Sequence, residues 1–278
     1  MRRIGIVLAT LALAASACSA RTPNAQPSGT TSAEPTASPA TFAHQVWFND
    51  ADGKLLLGYR TAAGTPAVAR AAITSMLDGP TSAERAQGTG TSIPVETKLV
   101  DLNIADRVAT VDLSSEFEAS GGTLGERLRL AQVVFTLTQF DTVTSVSLRI
   151  DGRAIREFGS HGLVLDRPST RDDFEDLMPA IVVEHPIPGD RVSSPVTVSG
   201  TANVFEATVS LRILDAGGKE IATTFTNATC GTGCRGTYSV NVTFEVAAEQ
   251  QGTIEVFVSS AKDGKPTDVV RVPVILTG

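Results

Sequence analysis

Histidine, tryptophan and tyrosine are scarce in this chain, with three, one and two copies in 278 residues, and cysteine and methionine occur three times each. The histidines, His44, His161 and His185, fall in separate stretches, and none has a second histidine at helical spacing. Zinc hydrolysis therefore has no visible ligand set, and no metal is expected. No glycine-rich phosphate loop leads into a helix, so nucleotide binding has no support and no cofactor is expected. Lysine and arginine form no stripe in a chain of formal charge −7, which argues against nucleic acid and anionic lipid headgroups as partners. After residue 18 no apolar run approaches the roughly 20 residues that cross a bilayer. What remains is an ordinary hydrophobic share of 42%, enough to fill the cores of one or two domains.

The first eighteen residues decide the address. Arg2 and Arg3 open the chain, residues 4–15 are apolar, and Ala15-Ser16-Ala17-Cys18 brings small residues up to a cysteine. This is the three-part layout of a secretory signal. Small residues before a cysteine resemble a bacterial lipobox, which implies that residues 1–17 are removed and that Cys18 becomes the lipid-bearing first residue. The alternative is plain secretion with cleavage near Ala17 or Ala20. Lipidation tethers the protein to the outer face of the cell membrane, an extracytoplasmic location. It also resolves an odd cysteine count, because Cys230 and Cys234 remain, in the order Cys-Gly-Thr-Gly-Cys, as an expected disulfide. Two thiols without a nearby histidine cannot complete a four-coordinate zinc.

Residues 18–43 are rich in Ser, Thr, Ala and Pro and cannot repay their ordering entropy, so they read as a disordered spacer. From residue 44 short apolar strands begin: residues 44–48, a turn at Asp50 to Gly53, and residues 55–60. Thr65-Pro66 reads as a helix cap and first turn, and Val68, Ala72, Ile73, Met76 and Leu77 give a face about 13 residues long, ended by Gly79-Pro80. A polar loop containing Ile93-Pro94 comes next. Strands follow over residues 99–105 and 108–113, with Val100, Leu102 and Ile104 as the buried face of the first. Thr123 with Glu126 reads as a capping box opening a longer helix, whose inner face is Leu124, Leu128, Ala131, Val134, Phe135 and Leu137. Residues 143–150 form one more strand. This order implies an α+β domain over residues 44–157, a mixed sheet with two helices on one face.

Residues 158–180 read as a junction, with Thr170 capping a short helix whose first turn carries Asp172 and Asp173. These acids, with Glu175 and Asp176, are adjacent rather than spaced around a loop, so a cation site is not expected. Residues 181–278 alternate through seven short strands separated by glycine turns, as an all-β immunoglobulin-like sandwich requires.

Several blocks carry a family resemblance. Leu77-Asp78-Gly79-Pro80, Ile93-Pro94, Val111-Asp112-Leu113-Ser114 and the run from Leu130 to Phe140 resemble the sporulation and spore germination domain called GerMN. Ser194-Pro195-Val196, Ser199-Gly200-Thr201-Ala202, Phe205-Glu206-Ala207 and Gly236-Thr237-Tyr238 resemble the immunoglobulin-like domain of bacterial spore germination proteins. The pairing of these domains on one lipoprotein resembles a family arrangement typical of actinobacteria and some other bacteria.

The residues themselves offer no reactive constellation. Ser259 and Lys262 have the S-x-x-K spacing, but that chemistry needs the serine to open a helix, and here a strand ends. Asp112, Glu116 and Glu206 are scattered carboxylates rather than an acid pair. Phe205 is expected to pack under the sandwich edge. The expectation is a non-enzymatic lipoprotein presenting two interaction modules to an envelope protein partner. The alternative is a module that holds peptidoglycan or another glycan, against which the scarcity of Trp and Tyr counts.

Overall fold

The structure, a computed structural model, describes residues 41–278. The leader, Cys18 and most of the spacer lie outside the described residues. Strands β1 (Thr41–Asn49) and β2 (Leu55–Ala63) pair antiparallel. Their turn is held by Asp50, whose Oδ1 accepts the N–H groups of Asp52 and Lys54, the local hydrogen bonding that suits aspartate to turns. Helix α1 (Val68–Leu77) starts later than Thr65-Pro66 suggested, because the Thr65 hydroxyl closes a tight turn by accepting the Ala67 N–H. It stops where Gly79 takes φ +79° and its N–H returns to the Met76 carbonyl. The stretch read as a loop contains a further short helix, α2 (Ser82–Ala86), opened by a Thr81–Glu84 capping box. None of its residues is buried, so it has no apolar periodicity to read.

Strands β3 (Leu99–Ala105) and β4 (Val108–Leu113) follow. The alternation in β3 misled: Val100 and Ile104 are 52% and 37% exposed, while Leu99 and Leu102 pack on the core. A register shift between Leu99 and Asp101 puts Val100 out of phase with Leu102, and Ile104 lies near the end of β3, an edge strand. Helix α3 (Gly122–Leu137) begins without a side-chain cap. Thr123 and Glu126 make no capping box, since Glu126 is fully buried and engaged elsewhere, and Leu124 is half exposed rather than inward. The helix is buried nearly all round because the β1–β2 hairpin, α1 and the strand β5 (Ser145–Ile150) surround it.

The short strands β6 (Arg153–Ala154), β7 (Glu157–Phe158) and β8 (Leu163–Val164) complete this part. The mixed sheet runs β3-β4-β5-β6, with β4 and β5 parallel across α3, while β1–β2 forms a sheet of its own. One shared sheet was expected. The ladder of β1 is instead interrupted by α3, as described below.

A 3₁₀ segment, Arg171–Leu177, leads into the sandwich and carries the Thr170–Asp173 capping box. Strands β9 (Ile181–His185), β10 (Arg191–Ser193), β11 (Val196–Ala202), β12 (Thr208–Leu214), β13 (Glu220–Asn227), β14 (Gly236–Val242), β15 (Gln250–Ser259) and β16 (Pro266–Thr277) form two sheets. One runs β10-β16-β15-β12-β13 and the other β14-β11-β9. Val198, Val209, Leu211, Ile213, Ile254 and Val256 are fully buried between them. Gly200 is required on β11, because a Cβ there would overlap the Val182 carbonyl oxygen and crowd the Tyr238 hydroxyl, which bonds that same oxygen at 3.0 Å. The fold is α+β followed by an immunoglobulin-like sandwich. Among the described residues no helix is long and apolar enough to cross a membrane.

Candidate functional site

The first domain is organised by polar groups buried along α3. A strand edge turned toward a helix leaves unpaired N–H and C=O groups, each costly when buried. Here side chains take the place of a neighbouring strand. Gln139 accepts the Gln45 N–H at 2.7 Å and donates to the Gln45 carbonyl at 2.8 Å. Thr136 accepts the Trp47 N–H at 3.2 Å, and Gln132 donates to the Trp47 carbonyl at 3.1 Å. The Asn49 backbone exchanges two bonds with Gly90. Three members of the Leu130–Phe140 block thus act as a substitute strand, a role the sequence pattern did not reveal.

The sequence reading also missed a cluster at the other end of α3. Glu126 is fully buried, and its Oε1 meets the Ser160 N–H at 2.8 Å, the Ser160 hydroxyl at 3.0 Å and His161 Nδ1 at 3.1 Å. Burial opposes its charge most strongly, but the bonds from His161 and Ser160 outweigh it and hold the carboxyl below its usual pKa. Serine, histidine and glutamate together suggest acyl transfer, yet the geometry is wrong. A relay uses one ring nitrogen for the serine and the other for the acid, whereas Nδ1 here faces both. The cluster fastens the 157–164 loop onto α3. Gly159, at φ +72°, is the one sequence signal for it, since a Cβ there would overlap the Glu126 carboxyl.

The junction fastens the two domains. Arg171, buried against the rings of Trp47 and Phe135, caps the end of α3 through Thr138 Oγ1 at 2.8 Å and the Phe135 carbonyl at 3.2 Å. Arg127 grips Asp176 with two bonds of 2.7 Å. The neighbouring Glu175 takes Arg235 at 2.9 Å, and Arg235 also donates to the Pro179 carbonyl at 2.7 Å. Asp172 and Asp173 lie in the first turn as expected, while Glu175 and Asp176 serve as a bracket between α3 and the sandwich. Tyr59 adds a further tie, its hydroxyl donating to the Glu184 carbonyl at 2.7 Å. The described residues, 41–278, accordingly form one unit.

A groove of about 490 Å³ lies between the domains, lined by Leu56 to Tyr59 on one side and by Pro188, Arg271 and Pro273 on the other. On the outer face of the five-stranded sheet Glu255 is buried between Arg212 at 2.7 Å and Arg271 at 2.8 Å. Burial again raises its pKa, and the two guanidinium groups overcome this and leave it lowered.

The remaining sequence candidates are dispersed. His44 turns onto Ser75 at 3.1 Å, its imidazole held below the usual pKa by burial and by Arg60. His185 ends β9. Asp112 accepts the Gly152 N–H at 3.0 Å, Glu116 sits in a 3₁₀ turn and Glu206 is exposed. Ser259 ends β15 and Lys262 follows in a turn. No cluster of three metal-binding side chains occurs among the described residues. Cys230 and Cys234 are bonded, with Cα atoms 5.7 Å apart, between β13 and β14. The loop they close packs on residues 203–207: Thr232 Oγ1 accepts the Glu206 N–H and Asn203 accepts the Gly233 N–H. Glu206 and Ala207 take φ +54° and +57°, and Phe205 is 67% exposed rather than tucked under the sandwich edge. The short loop between β11 and β12 turns this ring outward.

These features define a pair of domains tied to each other by the charged groups of the junction. Residues 45–156 match the family described as sporulation and spore germination. Residues 180–265 match the immunoglobulin-like domain of bacterial spore germination. The chain carries both domains, in that order. No curated protein matches it. Among solved structures it is similar to the first GerMN domain of the sporulation protein GerM from Bacillus subtilis, with 24% identity, 48% of this chain and 99% of that one covered and a TM-score of 0.42. The tandem GerMN domains of the same protein align with 18% identity over 73% of this chain and 62% of theirs, at a TM-score of 0.42.

Proposed function

We propose that this chain is a non-enzymatic envelope lipoprotein, held at the outer face of the cell membrane by lipid on Cys18, that offers its two domains as one docking body to an envelope protein. The observation that carries this reading is the bracket at residues 171–177. Adjacent Glu175 and Asp176 reach into different domains and fix their relative placement, which suits a presented surface better than a cleft that must open and close. The leader and the two recognised domains support it. Mass spectrometry of the mature protein tests the anchor: the expected N-terminal residue is an acylated Cys18, and Cys18→Ser moves the protein from the membrane fraction to the medium. A mature N-terminus elsewhere without acyl chains overturns the anchor. Cross-linking in cells tests the partner, and recovery of this chain alone at native abundance overturns that role.

A second reading, a glycan-binding module, is favoured by Phe205 and Phe225, which are 67% and 66% exposed. Asn227, two residues along β13 from Phe225, donates to the Glu206 carbonyl beside Phe205, so both rings sit at one end of the sandwich. Exposed rings of this kind can stack on sugars. Purified sacculi retain the protein under this reading and release the Phe205→Ala, Phe225→Ala variant.

A further inference from the structure

The two edges of the β1–β2 ribbon are treated differently. In an antiparallel ladder, residue pairs alternate between those that exchange both hydrogen bonds and those that point their N–H and C=O groups away from each other. The bond from Asp50 N–H to the Lys54 carbonyl makes that pair a bonded one. Phe48 with Leu56 and Val46 with Gly58 are therefore bonded, and Trp47 with Leu57 and Gln45 with Tyr59 are not. The outward groups of Gln45, Trp47 and Asn49 confirm the phase, since α3 and Gly90 take them. By the same phase, Leu57 and Tyr59 point their backbone groups out of the other side of the ribbon. The Tyr59 carbonyl receives Arg60 Nη1 at 2.9 Å. The Leu57 N–H, Leu57 carbonyl and Tyr59 N–H have no partner among the described residues.

This edge faces the interdomain groove. Four consecutive residues, Leu56 to Tyr59, line it. Successive side chains of a strand point to opposite faces, so only a strand edge presents four in a row to one cavity. The opposite wall includes Pro188 and Pro273, which have no N–H to offer, and Arg271. Glu84, also in the lining, is already held by both terminal nitrogens of Arg60. Arg271 reaches Glu255 only through Nε, its side chain is 64% exposed, and Glu255 is shared with Arg212. Its terminal nitrogens are therefore the free charge of the groove among the described residues.

We propose that this groove binds an extended polypeptide segment of a partner protein, which adds to β2 as a third strand and sets a carboxylate against Arg271. Main-chain bonds to Leu57 and Tyr59 provide the affinity, as in other strand-addition complexes, and the charge on Arg271 selects an acidic segment. A second copy of this chain fits poorly, because its own β2 edge is flanked by its own two domains. The inference deepens the docking role proposed above, but its test reads the groove whether or not Cys18 carries lipid.

The experiment selects a phage-displayed library of random 12-residue peptides on the purified full chain. The expected winners share an alternating apolar stretch with an acidic residue. A synthetic winner protects the Leu57 and Tyr59 amides, which exchange freely without it. Leu57→Pro removes the outward N–H and leaves the β1 ladder intact, so binding falls about tenfold, while Leu57→Ala binds within about threefold. Arg271→Gln also loses about tenfold. Selection of no peptide, or of peptides that bind Leu57→Pro unchanged, overturns the proposal. So do amides of Leu57 and Tyr59 that are protected in the free chain and released by deleting residues 19–38, which assigns the groove to the chain's own spacer.

Discussion

Replacing Gln132 tests whether α3 stands in for a strand. Gln132 is fully buried. Its Nε2 donates to the Trp47 carbonyl at 3.1 Å and to Thr91 Oγ1 at 3.0 Å, and its Oε1 accepts the Ser92 N–H at 3.1 Å. Gln132→Ala leaves one backbone carbonyl and one backbone N–H without partners in or near the core. At about 1–3 kcal/mol each, with the cavity added, the loss is about 3–5 kcal/mol. That is a large part of the 5–15 kcal/mol that usually separates folded from unfolded domains. The controlling variant is Gln132→Met, which restores volume but not polarity. If the orphaned backbone sets the loss, Met is within about 1 kcal/mol of Ala; if the cavity sets it, Met recovers most of the stability. Trp47, the one tryptophan of the chain, is fully buried and packs on Phe135 with ring centroids 5.0 Å apart. Its fluorescence therefore follows this site in urea. With a slope of about 2 kcal/mol/M, the midpoint falls by about 2 M in both variants. A Gln132→Met protein with wild-type stability would refute the substitute-strand account.

Two further outcomes follow from the charged groups. Glu255 has a folded pKa below its unfolded value of about 4.5. Its contribution is therefore fully present above that pH and is lost as pH falls through the folded value. Thermal melts should show wild type clearly more stable than Glu255→Gln at pH 7, with the gap closing below about pH 4.5; a gap independent of pH would sink the assignment of charge to Glu255. Arg235→Ala removes the sandwich's hold on Glu175 and Pro179, so limited proteolysis should cut residues 165–180 several-fold faster while the β1–β2 hairpin keeps its hydrogen-exchange protection. Unchanged cutting means that the bracket does not tie the domains.

Local signals carried much of the architecture. Period-two alternation and tight turns located β4 and β12 to the residue, and the apolar repeat Leu128, Ala131, Val134, Phe135 and Leu137 placed α3. Those signals are short-range: they depend on neighbours within one turn or one strand, which the order of residues supplies directly. They failed where a distant partner overrode them. Thr123 and Glu126 have capping-box spacing, but Ser160 and His161, some 34 residues on, claim the carboxylate. Val100 alternates with Leu102 as a buried face should, but a bulge on an edge strand turned it outward.

The sequence by itself determined the α+β domain, the β-sandwich that follows it, and the family resemblance of each. Only the tertiary structure decided which polar residues work together. Gln132 meets Trp47 across 85 residues of chain, Tyr59 meets Glu184 across 125, and Glu175 meets Arg235 across 60. A buried polar group must find a partner wherever the fold brings one, and composition and spacing do not encode which partner that is. The unpaired edge of β2 is the same lesson reversed, since a strand's free side exists only once every other element has taken its place.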